Sequence, residues 1–266
     1  MPEVTLQTQP QRLREFFADL ASATHSRLLL DYDGTLAPFR QQRMEARPYD
    51  GVIERLGRIQ QAPTSGITMI SGRPATEVAT LLQPLSGIEI RGAHGLELRT
   101  AEGELEQMPL DDADADALRT ARNQLEGFGM ITALEEKTGG LALHWREQPT
   151  HATEQMRALA VRLWTPLIAG TSLRLLSFDG GLELRVTRPH KGDAVEAIRQ
   201  ALPCDARVAY LGDDATDEDA FRSIGTDGLA VLVRAEYRAT AASIWLRPPQ
   251  ELLVFLDAWI AATCPW

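Results

Sequence analysis

Asp31 and Asp33 stand one residue apart at the end of an apolar run, Leu28-Leu29-Leu30, and Gly34 and Thr35 follow at once. Side chains two apart on an extended strand leave on the same face, so the two carboxylates start together with Tyr32 opposite. Gly34 permits a sharp departure and a close approach of backbone to a ligand. Two further apolar runs end in polar signatures, Ser71-Gly72-Arg73 and Gly212-Asp213-Asp214, the second with Asp217 and Glu218 close behind. Two like charges about 4 Å apart repel by roughly 4 kcal/mol at an effective dielectric of about 20. Such a cluster calls for a divalent cation with hard oxygen ligands. Mg2+ suits a site of few carboxylates completed by water and phosphate. Ser71 can donate to an anion, and Lys191 can neutralise one as a compact point charge. Two acids, a metal, a hydroxyl and a lysine make a phosphoryl-transfer site with no need of histidine. One aspartate attacks phosphorus and the other handles the proton of the leaving oxygen.

The elements around these residues must bring them to one edge. Residues 12–22 read as a helix, 27–33 as a buried strand, 49–61 as a helix, 66–74 as a strand, 75–85 as a helix and 87–98 as a strand and loop. Short, wholly apolar strands alternating with amphipathic helices predict an α/β fold with a doubly wound parallel sheet. In such sheets ligands bind beyond the carboxyl ends of the strands, where all three polar signatures would converge. The middle of the chain reads differently. A helix over 110–128 has acids in its first turn, where the helix dipole favours them. A hairpin turns at Thr138-Gly139-Gly140, a second helix follows, and a second hairpin turns at Asp179-Gly180-Gly181. The order α-β-β-α-β-β predicts an inserted α+β unit over residues 102–187. Residues 1–101 and 188–266 then form the core, with a helix from Lys191, a buried strand over 207–214 and a helix after Thr216.

Composition narrows the classes. The chain has 266 residues, 44% of them hydrophobic, and a net charge of −10 without a Lys/Arg run, which argues against nucleic-acid binding. Cys204 and Cys264 form no CxxC and suggest a reducing compartment. No basic segment followed by an apolar run opens the chain, and no apolar stretch approaches the roughly 18 residues of a spanning helix. A cytoplasmic protein without membrane contact is expected. P-loop, GxGxxG, GxSxG and HExxH motifs are absent.

Taken singly, these residues have plainer readings. Ser71 could cap the following helix, Lys191 could be a solvated helix residue, and Asp213 and Asp214 could cap the helix at Thr216. Asp217 and Glu218 suit a helix N-terminus through the dipole. His94 could be a buried, hydrogen-bonded histidine. On the first hairpin, Leu141, Leu143 and Trp145 alternate with Ala142, His144 and Arg146; on the second, Leu182, Leu184 and Val186 alternate with Glu183 and Arg185. That gives the inserted sheet one polar face, which by itself would be read as a solvated surface.

The set "DYDGT", Ser71, Lys191 and "GDDATDED", in that order, resembles the haloacid-dehalogenase superfamily of aspartate-nucleophile phosphatases. The wider set "LDYDGTLAPF", "SGRP", "GAHGLE", "LEEKTGGLALHWR", "GGLELRVTRPHKGDAV" and "YLGDDATDEDAF" is similar to its trehalose-6-phosphate phosphatase family. The resemblance implies Asp31 as nucleophile and metal ligand, and Asp33 as general acid/base lending its carbonyl to the metal. It implies Asp213 as metal ligand, Asp214 as support, and Ser71 and Lys191 as holders of the phosphoryl group. It implies a cap whose Glu135, Lys137, Arg146 and Glu183 grip the sugar, with Arg73 and His94 lining the core side. Either Glu135 or Glu136 could face the sugar; the spacing of two from Lys137 favours Glu135. The expected reaction is Mg2+-dependent release of phosphate from trehalose 6-phosphate. Competing readings are a phosphatase for sucrose phosphate or mannosyl phosphoglycerate, a sugar phosphomutase, and a non-catalytic sugar-phosphate sensor. Association with a trehalose-6-phosphate synthase is a further expectation of partnership.

Overall fold

The computed structural model describes residues 10–145, 148–178 and 180–264. The chain forms two compact units, one from the segments up to Glu106 and from His190 onward, the other from Gln107–Pro189. The expectation drew these boundaries at 102 and 187. The units divide a few residues later because the chain adds β4 (Glu97–Arg99) and β5 (Leu105–Gln107) to the edge of the large sheet first.

At the centre of the large sheet lies β1 (Ser26–Leu30), parallel to β2 (Ser65–Ile70) on one side and to β10 (Arg207–Gly212) on the other. Beyond β2 come β3 (Glu89–Gly92), parallel, then β4, antiparallel, and β5. Beyond β10 come β11 (Leu229–Val233) and β12 (Ile244–Leu246), both parallel. The order is β12-β11-β10-β1-β2-β3-β4-β5.

Both faces of β1 are buried, which is why its leucines do not alternate with polar residues. Leu28 and Leu30 join one core with α1 (Pro10–Ser22), α2 (Val52–Gln61), α3 (Ala75–Leu81) and α8 (Gln250–Thr263). Aromatic contacts tie α1 to α8, Phe16 to Trp259 at 6.0 Å and Phe17 to Phe255 at 5.3 Å between ring centroids. Leu29 points the other way, into a core with Val195 and Ile198 of α6 (Lys191–Ala201) and Phe221 of α7 (Glu218–Ser223). The sheet is doubly wound, as its sequence pattern predicts. The parity of β1 continues past its end: Tyr32 falls with Leu28 and Leu30 in the first core, while Asp31 falls with Leu29 on the α6 side.

In the small unit the elements run α4 (Asp112–Gly127), β6 (Leu134–Lys137), β7 (Gly140–His144), α5 (Thr150–Trp164), β8 (Leu173–Phe178) and β9 (Gly181–Val186). The four strands form an antiparallel sheet in the order β6-β7-β9-β8. Leu141, Leu143, Leu173, Leu182 and Leu184 are buried, as are Ala121 and Leu125 of α4 and Ala160 and Trp164 of α5. The Trp164 indole donates to the Ala121 carbonyl at 3.4 Å. One of the acids expected to serve the dipole of α4 does something else: Asp114 is buried and accepts from the Ser172 amide at 2.8 Å and hydroxyl at 2.6 Å, pinning α4 to the start of β8. Among the described residues no helix is long and apolar enough to cross a membrane.

Candidate active site

The carboxyl edge of the large sheet gathers its polar residues around a cavity of about 320 Å³, lined by Asp31, Asp33, Ser71, Arg73, His94, Lys191, Asp213 and Asp214, with Phe39, Arg40 and Arg43 from the loop after β1. A larger cavity, about 630 Å³, opens beside α3 and β3 and is lined chiefly by apolar and neutral polar residues, without carboxylates. Chemistry points to the smaller one.

Each side chain is aimed by a local device. Gly34 has φ of +76°, and a Cβ there would lie 2.1 Å from Asp213 Oδ2, so the turn after Asp33 can bring the β1 loop against the β10 loop only with glycine. Tyr32 anchors that turn from the opposite face, its hydroxyl donating to the Ala46 carbonyl at 2.6 Å. Ser71 follows β2 with 1% exposure, and its Oγ accepts from the Arg73 amide at 3.2 Å, leaving the hydroxyl proton free to be donated. His94 has φ of +60°, outside ordinary helical space, and sits where any Cβ on Gly72 would be 2.7 Å from its ring. Lys191 is the first residue of α6. His190 caps that helix through a reciprocal pair, accepting from the Asp193 amide at 3.2 Å while its own amide donates to Asp193 Oδ2 at 2.9 Å.

Lys191 is buried between two carboxylates, its Nζ 2.8 Å from Asp31 Oδ1 and 2.7 Å from Asp217 Oδ1. Asp217 is the residue the sequence reading left at a helix terminus. It is wholly buried and accepts from the Asp213 and Asp214 amides at 2.9 and 3.0 Å, while the Tyr210 hydroxyl also donates to it. Asp217 therefore shapes the loop after β10 and holds Lys191 toward Asp31. Asp214 combines both earlier readings: it lines the cavity and caps the following turn, its Oδ1 accepting from the Thr216 amide and hydroxyl at 2.7 Å each.

The electrostatics are set by burial. Desolvation pushes the Asp31 carboxyl up to about 7 against the pull of Lys191, with Asp217 adding repulsion. Desolvation and the charges of Asp31, Asp214 and Asp217 push Asp213 up to about 9. Burial alone would lower Lys191, but Asp217 and Asp31 outweigh it and hold the ammonium well above its ordinary range. Burial opposes the charge on Asp217 too, yet Lys191, the Asp214 amide and Tyr210 win and keep it below the usual carboxylate range. Asp31, Asp213 and Asp217 each offer an oxygen within 4.8 Å of the others, all three buried. One lysine against three carboxylates leaves two negative charges when all are ionised, which matches a dication. The donor set is all oxygen, the preference of Mg2+ and Ca2+.

Arg73, expected on the core side of the ligand, is engaged with Asp33. Its Nε and Nη2 meet the two Asp33 oxygens at 2.6 Å each, and its Nη1 donates to the Arg43 carbonyl at 2.8 Å. Glu77 lies 3.5 Å from the same guanidinium. Both oxygens of Asp33 are thus held in a planar, two-pronged grip.

In the small unit, Glu135, Lys137 and Glu183 meet on one sheet face. Lys137 Nζ is 3.1 Å from Glu183 Oε1 and 3.8 Å from Glu135 Oε2, and His144 Nε2 is 2.8 Å from Glu135 Oε2. Glu136 points to the helical side and pairs with Arg122 of α4 at 2.7 Å. Arg146 lies outside the described residues.

The Trehalose-phosphatase family model matches residues 29–247. A trehalose-phosphate phosphatase of Mycobacterium marinum is 32% identical over 243 residues, covering 86% of this chain and 60% of the relative. The chain thus spans about three fifths of that relative's length. Among solved structures, the C-terminal domain of a Candida albicans trehalose-6-phosphate phosphatase superposes with a TM-score of 0.71 at 19% identity, covering 97% of this chain and 99% of that one. An Aspergillus fumigatus trehalose-6-phosphate phosphatase gives 0.67 at 23% identity, with 93% and 97% covered.

Proposed function

Because the chain belongs to the trehalose-phosphatase family of the haloacid-dehalogenase superfamily, we propose that it hydrolyses trehalose 6-phosphate to trehalose and phosphate. The observation that carries this reading is the buried Asp31–Lys191–Asp217 network beside Asp213, opening on a cavity with Ser71 and Asp33.

In this reading an oxygen of the Asp31 carboxylate attacks phosphorus, and the bond from phosphorus to the sugar oxygen breaks. Asp33 delivers a proton to that oxygen, releasing the sugar. For this, one arm of the Arg73 grip must be exchanged for the ester. Water then attacks the aspartyl-phosphate, Asp33 takes its proton, and the Asp31–phosphorus bond breaks to free phosphate. Lys191 and Ser71 face the phosphoryl oxygens, and Lys191 also fixes the Asp31 rotamer from behind. Asp31, Asp213 and the Asp33 carbonyl would hold Mg2+, with Asp217, already saturated by four donors, orienting the loop that carries Asp213. A bound Mg2+ would neutralise phosphate charge and permit all the acids to ionise together. The acid–base face formed by Glu135, Lys137 and Glu183 would recognise the sugar hydroxyls.

The test is phosphate release from a panel of sugar phosphates with Mg2+, repeated with EDTA. Strong preference for trehalose 6-phosphate, abolished by EDTA, is expected. Metal-dependent release from a different sugar phosphate would keep the mechanism and replace the substrate. No release from any ester by folded protein would leave a sensor.

A further inference from the structure

Phe178 ends β8 beside the polar cluster of the small sheet, and 37% of it is exposed. An exposed aromatic taken alone needs no explanation; what marks Phe178 is the set of polar groups arranged around it. The register places His144, Gly181 and Phe178 in one cross-strand row. A Cβ on Gly181 would lie 1.9 Å from the Phe178 ring. The glycine therefore lets the ring fold across β9 toward β7 instead of standing upright. There it meets His144 edge-on, ring centroids 5.3 Å apart, and the Lys137 ammonium stands over the ring face, 6.0 Å from its centroid, where a stacking ligand would have to take its place. Lys137 and His144 are in turn the residues that bind Glu135 and Glu183. One aromatic ring thus contacts an imidazole and an ammonium, and each of these is paired in turn with a carboxylate.

We propose that Phe178, laid flat by Gly181, is a stacking platform for a pyranose ring and a determinant of sugar specificity. The inference rests on the proposed phosphatase reading and names a recognition residue for it. A pyranose has C–H groups on its faces and hydroxyls on its rim. The electron-rich face of a phenyl ring complements the former, and the surrounding acids and bases complement the latter. A purely ionic face would bind hydroxyls but would discriminate poorly between a sugar and any other polyol. A phenyl ring adds a flat surface that only a ring-shaped ligand matches.

The experiment compares wild type, Phe178→Leu and Phe178→Trp on trehalose 6-phosphate and on p-nitrophenyl phosphate. Leucine keeps apolar bulk and removes the π face; tryptophan keeps the face. Phe178→Leu is expected to raise KM for the sugar ester about tenfold while leaving the aryl ester within about twofold. Phe178→Trp should retain wild-type KM, and its emission should change saturably with trehalose. Equal effects of Phe178→Leu on both esters, or none on the sugar ester with wild type active, would overturn the proposal. If wild type prefers another sugar phosphate, the substrate assignment falls, and the same ratio measured on that sugar still decides Phe178. Should Phe178→Leu misfold, the trehalose response of Phe178→Trp decides alone, its absence counting against stacking.

Discussion

In the large unit the side chains of Asp31, Lys191 and Asp217 are 6%, 3% and 0% exposed, whereas those of Glu135, Lys137 and Glu183 in the small unit are 36%, 32% and 18% exposed. Both are lysines between two carboxylates, at 2.7 and 2.8 Å around Lys191 and at 3.1 and 3.8 Å around Lys137. Water makes the difference. Around Lys191 nothing can replace a lost partner, so each charge is fixed by the others and the group acts as one body. Around Lys137 solvent stands in for any missing charge, and the side chains keep the freedom to re-form around a ligand. The first arrangement suits attack on phosphorus, which needs reacting atoms already in place. The second suits recognition of a polyhydroxyl ligand by exchange of hydrogen bonds.

The comparison can be pressed by substitution. Asp31→Asn should lower turnover by roughly 10⁴-fold or more, as expected for loss of a nucleophile, with a smaller loss of stability than at Lys191, because burial already disfavours the Asp31 charge and Lys191 keeps Asp217. Steady-state phosphate release and thermal unfolding check this; surviving turnover would remove Asp31 from the nucleophile's place. Lys191→Met should cost about 3–5 kcal/mol, because it strands buried carboxylates. At about 2–4 °C per kcal/mol for a chain of this class, unfolding should shift down by roughly 10 °C. The matched change Lys137→Met should stay within about 1 kcal/mol, as for exposed pairs, yet impair the sugar ester more than an aryl ester. Similar stability losses for the two lysines would break the contrast.

Metal and pH probe the same burial. Asp31 and Asp213 are raised above their unfolded value of 3.8, to about 7 and about 9, chiefly by desolvation. Between those values the folded state binds more protons than the unfolded one, so stability falls as pH rises. Asp217 is shifted the other way and remains charged throughout that window. EDTA-treated protein should therefore melt lower at pH 9 than at pH 6. Mg2+ at about 100 times its dissociation constant should add about 2.7 kcal/mol, and one fixed Mg2+ concentration should rescue more at pH 9 than at pH 6. A metal effect independent of pH would place the ion elsewhere. The smallest effect is expected for Glu136→Gln, which breaks a pair on the helical side and should leave both esters within about twofold.

Asp31, Asp33, Ser71, Lys191 and Asp213 were legible because each follows an apolar run or opens a helix, and a parallel sheet sends such ends to one edge. Asp217 was not. An acid in a first helical turn has an ordinary explanation, and only the folded loop shows it turned inward beneath Asp213. The position four residues after Asp213, with Asp214 free to cap, was the available signal. Arg73 lines the cavity, but sequence gives direction along a loop and not a side chain's partner, which here is Asp33. Choosing between Glu135 and Glu136 needed only strand parity, and the register pairs Glu135 with Ala142 and Ala142 with Glu183. Strands β11 and β12 and helix α8 carry no polar signature that points to the site; Leu229–Val233 is buried throughout, and α8 buries residues around much of its circumference.

The position of β1 between β2 and β10 has a consequence for biosynthesis. The ribosome makes Asp31 about 180 residues before Asp213, and at about 5–20 residues per second that is roughly 10–40 s. Until residues 207–212 emerge, the buried strand β1 has one side unpaired, a template for another chain. The inserted unit, made in between, lengthens that exposure. The pairing that closes this edge also delivers Asp213, so completion of the sheet and completion of the site are one event.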